Sequence, residues 1–153
     1  MNNSSISDKT VVVFGASGFL GSHVADALSG AGYQVRLFDH ISSPYQRIDQ
    51  EMIVGDIMDI DQVIEATRGA YAVYNFAAIA DIDEAHNKPI ATATINVLGN
   101  MHVLEAARIA GANRFVFASS VYVYSESGSF YRASKQAAER FTETYHDRYG
   151  LDY

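Results

Sequence analysis

Apolar residues follow two rhythms along this chain. Thr10–Phe14 is an unbroken β-branched and aromatic run ending at a glycine, the pattern of a strand buried on both faces of a parallel sheet. Residues 18–28 then carry apolar side chains at 20, 24, 27 and 28, a helical spacing that Gly30 and Gly32 stop. A second strand is predicted over 34–38, with Asp39 at its end. A polar stretch with Ser42, Ser43 and Pro44 leads to a short third strand at 52–54. Residues 59–67 read as a short helix opened by an acidic cap, and 72–76 as a fourth strand. Pro89 opens a long helix over 90–110 that Gly111 closes. Residues 114–118 form a fifth strand, and a last helix covers 131–149 with Gly150 as its C-cap.

Strands alternating with helices predict right-handed crossovers and an α/β fold, a doubly wound parallel sheet of the Rossmann-like kind. The domain is expected over residues 10–153. Residues 1–9, polar and without the apolar core of a secretory signal, are expected to be a disordered tail. The chain stops at Leu151-Asp152-Tyr153, where the alternation calls for a sixth strand. The expectation is therefore a sheet truncated before that strand, in a fragment whose C-terminal substrate domain is absent.

Composition narrows the partners. With 48% hydrophobic and 19% charged residues, the 153-residue chain fits an ordinary globular domain. A net charge of -7, with no basic block, argues against nucleic acid. No apolar run approaches the roughly 18 residues of a membrane span. The absence of cysteine excludes thiolate metal ligands and is compatible with a cytoplasmic location. The histidines at 23, 40, 86, 102 and 146 show no metal-ligand spacing, so no metal is expected.

Chemistry concentrates first at Gly15-x-x-Gly18-x-x-Gly21, between a predicted strand and a predicted helix. Gly15 permits a tight turn, and Gly18 lets backbone approach a pyrophosphate. Gly21 allows helix and strand to pack closely, while the helix N-terminus offers free N–H groups and partial positive charge. The strand–turn–helix context is what turns a glycine pattern into a dinucleotide site. Asp39, 18 residues after Gly21, can accept the adenosine ribose hydroxyls and would repel a 2′-phosphate. Arg36 points elsewhere by strand alternation and Arg47 lies eight residues on, so NAD is expected rather than NADP.

Further segments follow in order. They are Gly55-Asp56-Ile57, Asn75-Phe-Ala-Ala78, the run from Asn96 to Ala107 (NVLGNMHVLEAA), Phe117-Ala-Ser-Ser-Val-Tyr-Val-Tyr124, and Tyr131-Arg-Ala-Ser-Lys135. Together with the GxxGxxG turn they resemble the extended short-chain dehydrogenase/reductase family over nearly the whole chain. Asn75 stands where that family's HLAA pattern has histidine, and Ser125 where its VYG has glycine. The resemblance implies a cofactor set of Gly15, Ser17, Gly18, Phe19, Leu20, Gly21, Asp39, Asp56, Ile57, Phe76, Ala77, Ala78, Asn96, Tyr131 and Lys135. It implies Ser120, Tyr131 and Lys135 as catalytic residues, with Ser119 the rival for the serine role.

The pair also stands on its chemistry. Tyr131 and Lys135 lie at i and i+4, on one helix face. An ordinary phenol titrates near ~10, and a neighbouring ammonium favours its charged form. Only ten residues separate Ser120 from Tyr131, a shorter loop than the extended family usually carries, which alters the rim of a substrate pocket.

The resemblance implies a nucleotide-sugar substrate oxidised transiently at C4, with Tyr131 taking the hydroxyl proton. Dehydrating relatives place Asp-Glu after the serine; here Val121 and Tyr122 occupy those positions, which favours epimerisation, although Glu126 could substitute. The alternatives are a nucleotide-sugar 4,6-dehydratase, a simple NAD-dependent dehydrogenase or reductase, and a non-catalytic dinucleotide-binding protein. The fragment alone is expected to be inactive. A homodimer through the long helices is implied, with Ile95, Leu98, His102, Phe141 and Tyr145 at its seam unless these residues face the sheet.

Overall fold

A computed structural model describes residues 5–153. Among the described residues, five strands form one parallel sheet in the order β3-β2-β1-β4-β5. They are β1 (Thr10–Phe14), β2 (Gln34–Asp39), β3 (Gln50–Val54), β4 (Ala70–Asn75) and β5 (Arg114–Phe117). The helices are α1 (Phe19–Gly30), α2 (Ile60–Thr67), α3 (Ile82–Asn87), α4 (Pro89–Ala93), α5 (Asn100–Ala110) and α6 (Ser129–Tyr149). A π-helical turn over Thr94–Gly99 joins α4 to α5, so the predicted long helix is present with one widened turn inside it.

Alternation along β1 splits the core. Val12 and Phe14 face one layer with Val63 and Ala66 of α2 and Val103 and Leu104 of α5, and Phe14 lies 4.8 Å from the ring of Phe38. Val11 and Val13 face the other layer with Val35, Leu37 and Ala25 of α1. Helix α2 starts where the acidic cap was expected, because Asp59 Oδ1 accepts from the Asp61 and Gln62 amides.

The departures from the expected elements have local causes. Helix α3 escapes periodicity because only Ala85 of its six residues is buried; its signal is the cap, where Asp81 accepts from the Glu84 amide at 2.7 Å. Ile6–Asp8 form a 3-10 turn within the segment expected to be disordered, held by the Ser5 amide on Asp8 Oδ2 at 3.1 Å. The rest of that expectation, residues 1–4, lies outside the described residues. At the other end the Phe115 amide donates to the Asp152 carbonyl at 2.7 Å, so residues after α6 lie against β5.

Candidate functional site

Because every strand is parallel, all five carboxyl ends lie on one edge. The chain leaves β1 toward β2 and β3, then returns to β4 on the other side of β1, so the switch point of the sheet lies between β1 and β4. The glycine turn sits there. Gly15 has φ +74°, and a Cβ on it would come within 2.5 Å of the Ala77 nitrogen, so the turn presses against the peptide that ends β4. A Cβ on Gly21 would lie 2.1 Å from the Gly15 carbonyl oxygen. Its bareness thus serves the turn itself, more than the packing of helix on strand. A Cβ on Gly18 would meet only that same oxygen, at 3.3 Å, and its other side is open. This bare backbone beside the N-terminus of α1 fits a pyrophosphate. Phe19 and Leu20 open the helix with exposed side chains.

The Asp39 carboxylate is 8% exposed and buttresses the turn: Oδ2 accepts from the Ser17 amide at 2.9 Å, and Oδ1 from the His40 amide at 2.8 Å. The His40 ring nitrogen Nδ1 also lies 2.8 Å from Oδ1. Neither nearby arginine reaches it. Arg36 pairs with Glu51 and donates to the Ala66 and Arg68 carbonyls, whereas Arg47 pairs with Asp49. After β3, Asp56 is exposed and caps the Met58 amide. Ile57 turns inward, against Gly99 of the π turn. After β4, Phe76, Ala77 and Ala78 are half-buried beside the glycine turn.

Asn96, 2% exposed, does not present a free amide. It clamps Ile79 by accepting from its amide at 2.7 Å and donating to its carbonyl at 3.0 Å, and it donates to Ser134 Oγ of α6. That clamp ties the segment after β4 to α6 across the widened turn. The sequence patterns contained Asn96 and Ser134 in separate segments, but neither their pairing nor Ile79; the three meet only in the fold.

Tyr131 and Lys135 share the buried face of α6, 9% and 4% exposed. Lys135 Nζ donates to the Ala118 carbonyl at 2.7 Å, just past β5, and lies 5.8 Å from the centre of the Tyr131 ring. Burial pushes the Lys135 ammonium down to about 8. Tyr122 packs edge-on against Tyr131. The two serines differ: Ser119 Oγ donates to Glu139, while Ser120 Oγ accepts from the Tyr122 amide at 3.3 Å and keeps its own proton free. A hydroxyl with a free proton, a phenol and a buried ammonium on one sheet edge can hold and move a proton on a substrate oxygen.

Of the five residues assigned to a dimer seam, four are engaged within the chain. Ile95, Phe141 and Tyr145 pack against the sheet core, and His102 Nδ1 lies 3.0 Å from the Ile57 carbonyl. Only Leu98 is exposed.

Residues 11–153 match the model of the NAD dependent epimerase/dehydratase family. The chain is 34% identical over 121 residues to the UDP-glucose 4-epimerase of Rhizobium leguminosarum bv. trifolii, covering 76% of this chain and 37% of that protein. It is 32% identical over 118 residues to a 3-beta-hydroxysteroid dehydrogenase of Mycolicibacterium neoaurum, covering 72% of this chain and 31% of that one. The crystal structure of the Brucella ovis UDP-glucose 4-epimerase in complex with NAD superposes with a TM-score of 0.86 at 30% identity, over 94% of this chain and 49% of that one. The chain therefore spans between about a third and a half of the length of these relatives. With the glycine turn at the switch point and the family pattern running from β1 to the chain's last residue, the chain belongs to the NAD dependent epimerase/dehydratase family.

Proposed function

We propose that this chain supplies the NAD-binding and proton-transfer machinery of a nucleotide-sugar 4-epimerase. The observation that carries the reading is the buried Lys135, held by the Ala118 carbonyl beside Tyr131 on the sheet edge that bears the glycine turn. The open side of Gly18 and the α1 N-terminus would hold the pyrophosphate, and Asp39 the adenosine ribose. The lack of an arginine at Asp39 supports NAD over NADP. NAD held by these residues would supply the hydride acceptor and donor for the sugar carbon. Tyr131 takes the C4 hydroxyl proton, the Lys135 ammonium stands beside it on the same face of α6, and Ser120 donates to the reacting oxygen. Ser120 is favoured over Ser119, whose proton is committed to Glu139. Asn96 acts through the segment it clamps.

Val121 and Tyr122 put no carboxyl group where dehydrating relatives carry Asp-Glu, and the similarity to UDP-glucose 4-epimerases points the same way. The steroid dehydrogenase relative keeps a simple dehydrogenase as the second reading. The 153 residues alone are expected to bind NAD without turning over a sugar. The test joins this chain to the remainder of a 4-epimerase and measures interconversion of UDP-glucose and UDP-galactose. Tyr131→Phe should lower kcat at least a hundredfold, and Ser120→Ala should cost far more than Ser119→Ala. Full activity in Tyr131→Phe would sink the assignment, and net NADH accumulation would favour the dehydrogenase.

A further inference from the structure

Beneath the cofactor edge lies a buried amide pair that neither the glycine turn nor the proton-transfer residues use. Asn75 ends β4 and Asn100 opens α5, and each is 1% exposed. Asn75 Oδ1 accepts from the Ala77 amide at 3.1 Å, and its Nδ2 donates to Asn100 Oδ1 at 2.8 Å. The orientation of both side chains follows from one backbone donor. The Ala77 N–H must meet an oxygen, so Asn75 turns its amino group to Asn100, and Asn100 must answer with its oxygen. The Asn100 amino group is then left buried without a partner among the described residues. A buried donor is costly to leave unmade, so the acceptor that Asn100 presents is kept at the expense of its own donor.

The peptide held this way is the one that touches the glycine turn. The Phe76 carbonyl carbon and the Ala77 nitrogen lie 2.6 and 2.5 Å from where a Cβ on Gly15 would be, so the two walls of the crevice meet there without slack. We infer that Asn75 and Asn100 act as one positioning unit, which fixes the Phe76–Ala77 peptide against Gly15 and thereby sets the cradle for the dinucleotide. The inference rests on the NAD-binding reading and adds to it the residues that set its geometry.

Calorimetry of NAD binding to the full chain, at a temperature where circular dichroism shows every variant folded, tests the pair. Asn75→Ala should raise the Kd at least tenfold. Asn100→Leu, which removes the acceptor together with the orphaned donor, should do the same, and the double variant should be no worse than either single one. Asn100→Thr keeps an acceptor for Asn75 and replaces the orphaned amino group with a hydroxyl whose proton can go to the carbonyl one helical turn back, so it should bind within about twofold of the parent and melt higher. Both single variants binding NAD like the parent, while melting lower, would show a merely structural pair and overturn the inference. Amide hydrogen exchange gives a second readout. Ala77 should be protected in the parent and exposed in Asn100→Leu, and equal protection would overturn the pair's hold on it. A parent chain that binds no NAD would fail the functional reading, and exchange at Ala77 would then decide the pair by itself.

Discussion

Lys135 shows most clearly what burial does to a single side chain. Its ammonium is driven from an ordinary 10.5 to about 8 because it is removed from water with only a carbonyl to replace the lost hydration. In the unfolded chain it still holds its proton up to about 10.5, so between these limits the unfolded state binds more protons than the native one. Stability should therefore rise with pH from about 8 toward 10.5, by up to about 3 kcal/mol. Urea denaturation between pH 7.5 and 10 checks the slope, and Lys135→Met should flatten it. Above pH 10 the Tyr145 phenol, pushed up to about 12 by burial and Glu105, contributes the opposite sign, which sets the upper end of the useful range. The glycines divide as sharply. Gly15→Ala and Gly21→Ala should each cost about 3 kcal/mol, because their Cβ atoms would meet backbone that cannot retreat. Gly30→Ala meets nothing within 4 Å and should stabilise by up to about 1 kcal/mol, as thermal melts would show.

At the scale of elements, local chemistry was readable where it closed within a few residues. The Asp59 cap was legible because donor and acceptor are two and three residues apart, and Asp59→Ala should cost about 1 kcal/mol by urea titration. β1 was legible as an apolar run, and α1 by its apolar spacing and its glycine stop. The π turn was not, since its apolar spacing differs from an α-helix by a single residue and the polar residue within it finds its partners far along the chain. Asn96 reaches Ile79 and Ser134, 17 and 38 residues away. The choice between Ser119 and Ser120 was equally hidden, because Glu139 sits one helical turn beyond Lys135 on α6, in another element.

The whole molecule brings the segments that follow β1, β2, β3, β4 and β5 to the carboxyl edge of one sheet, as parallel pairing requires. It also bears on assembly. With Ile95, His102, Phe141 and Tyr145 occupied inside the chain, a homodimer through the long helices leaves Leu98 as its exposed seam residue. If that dimer forms, Leu98→Glu should shift sedimentation toward the monomer without altering NAD affinity. The sequence by itself determined the strand–helix alternation, the glycine turn, the strand-end aspartate and the Tyr131–Lys135 spacing, because each depends on contacts a few residues apart or on a backbone period. Only the tertiary structure decided which wall Gly15 touches, which serine keeps its proton, that Ile57 turns inward, and that Asn75 and Asn100 share one buried hydrogen bond. Those outcomes depend on how the parallel sheet and its helices bring together residues from separate elements, and on which polar groups burial then forces to find each other.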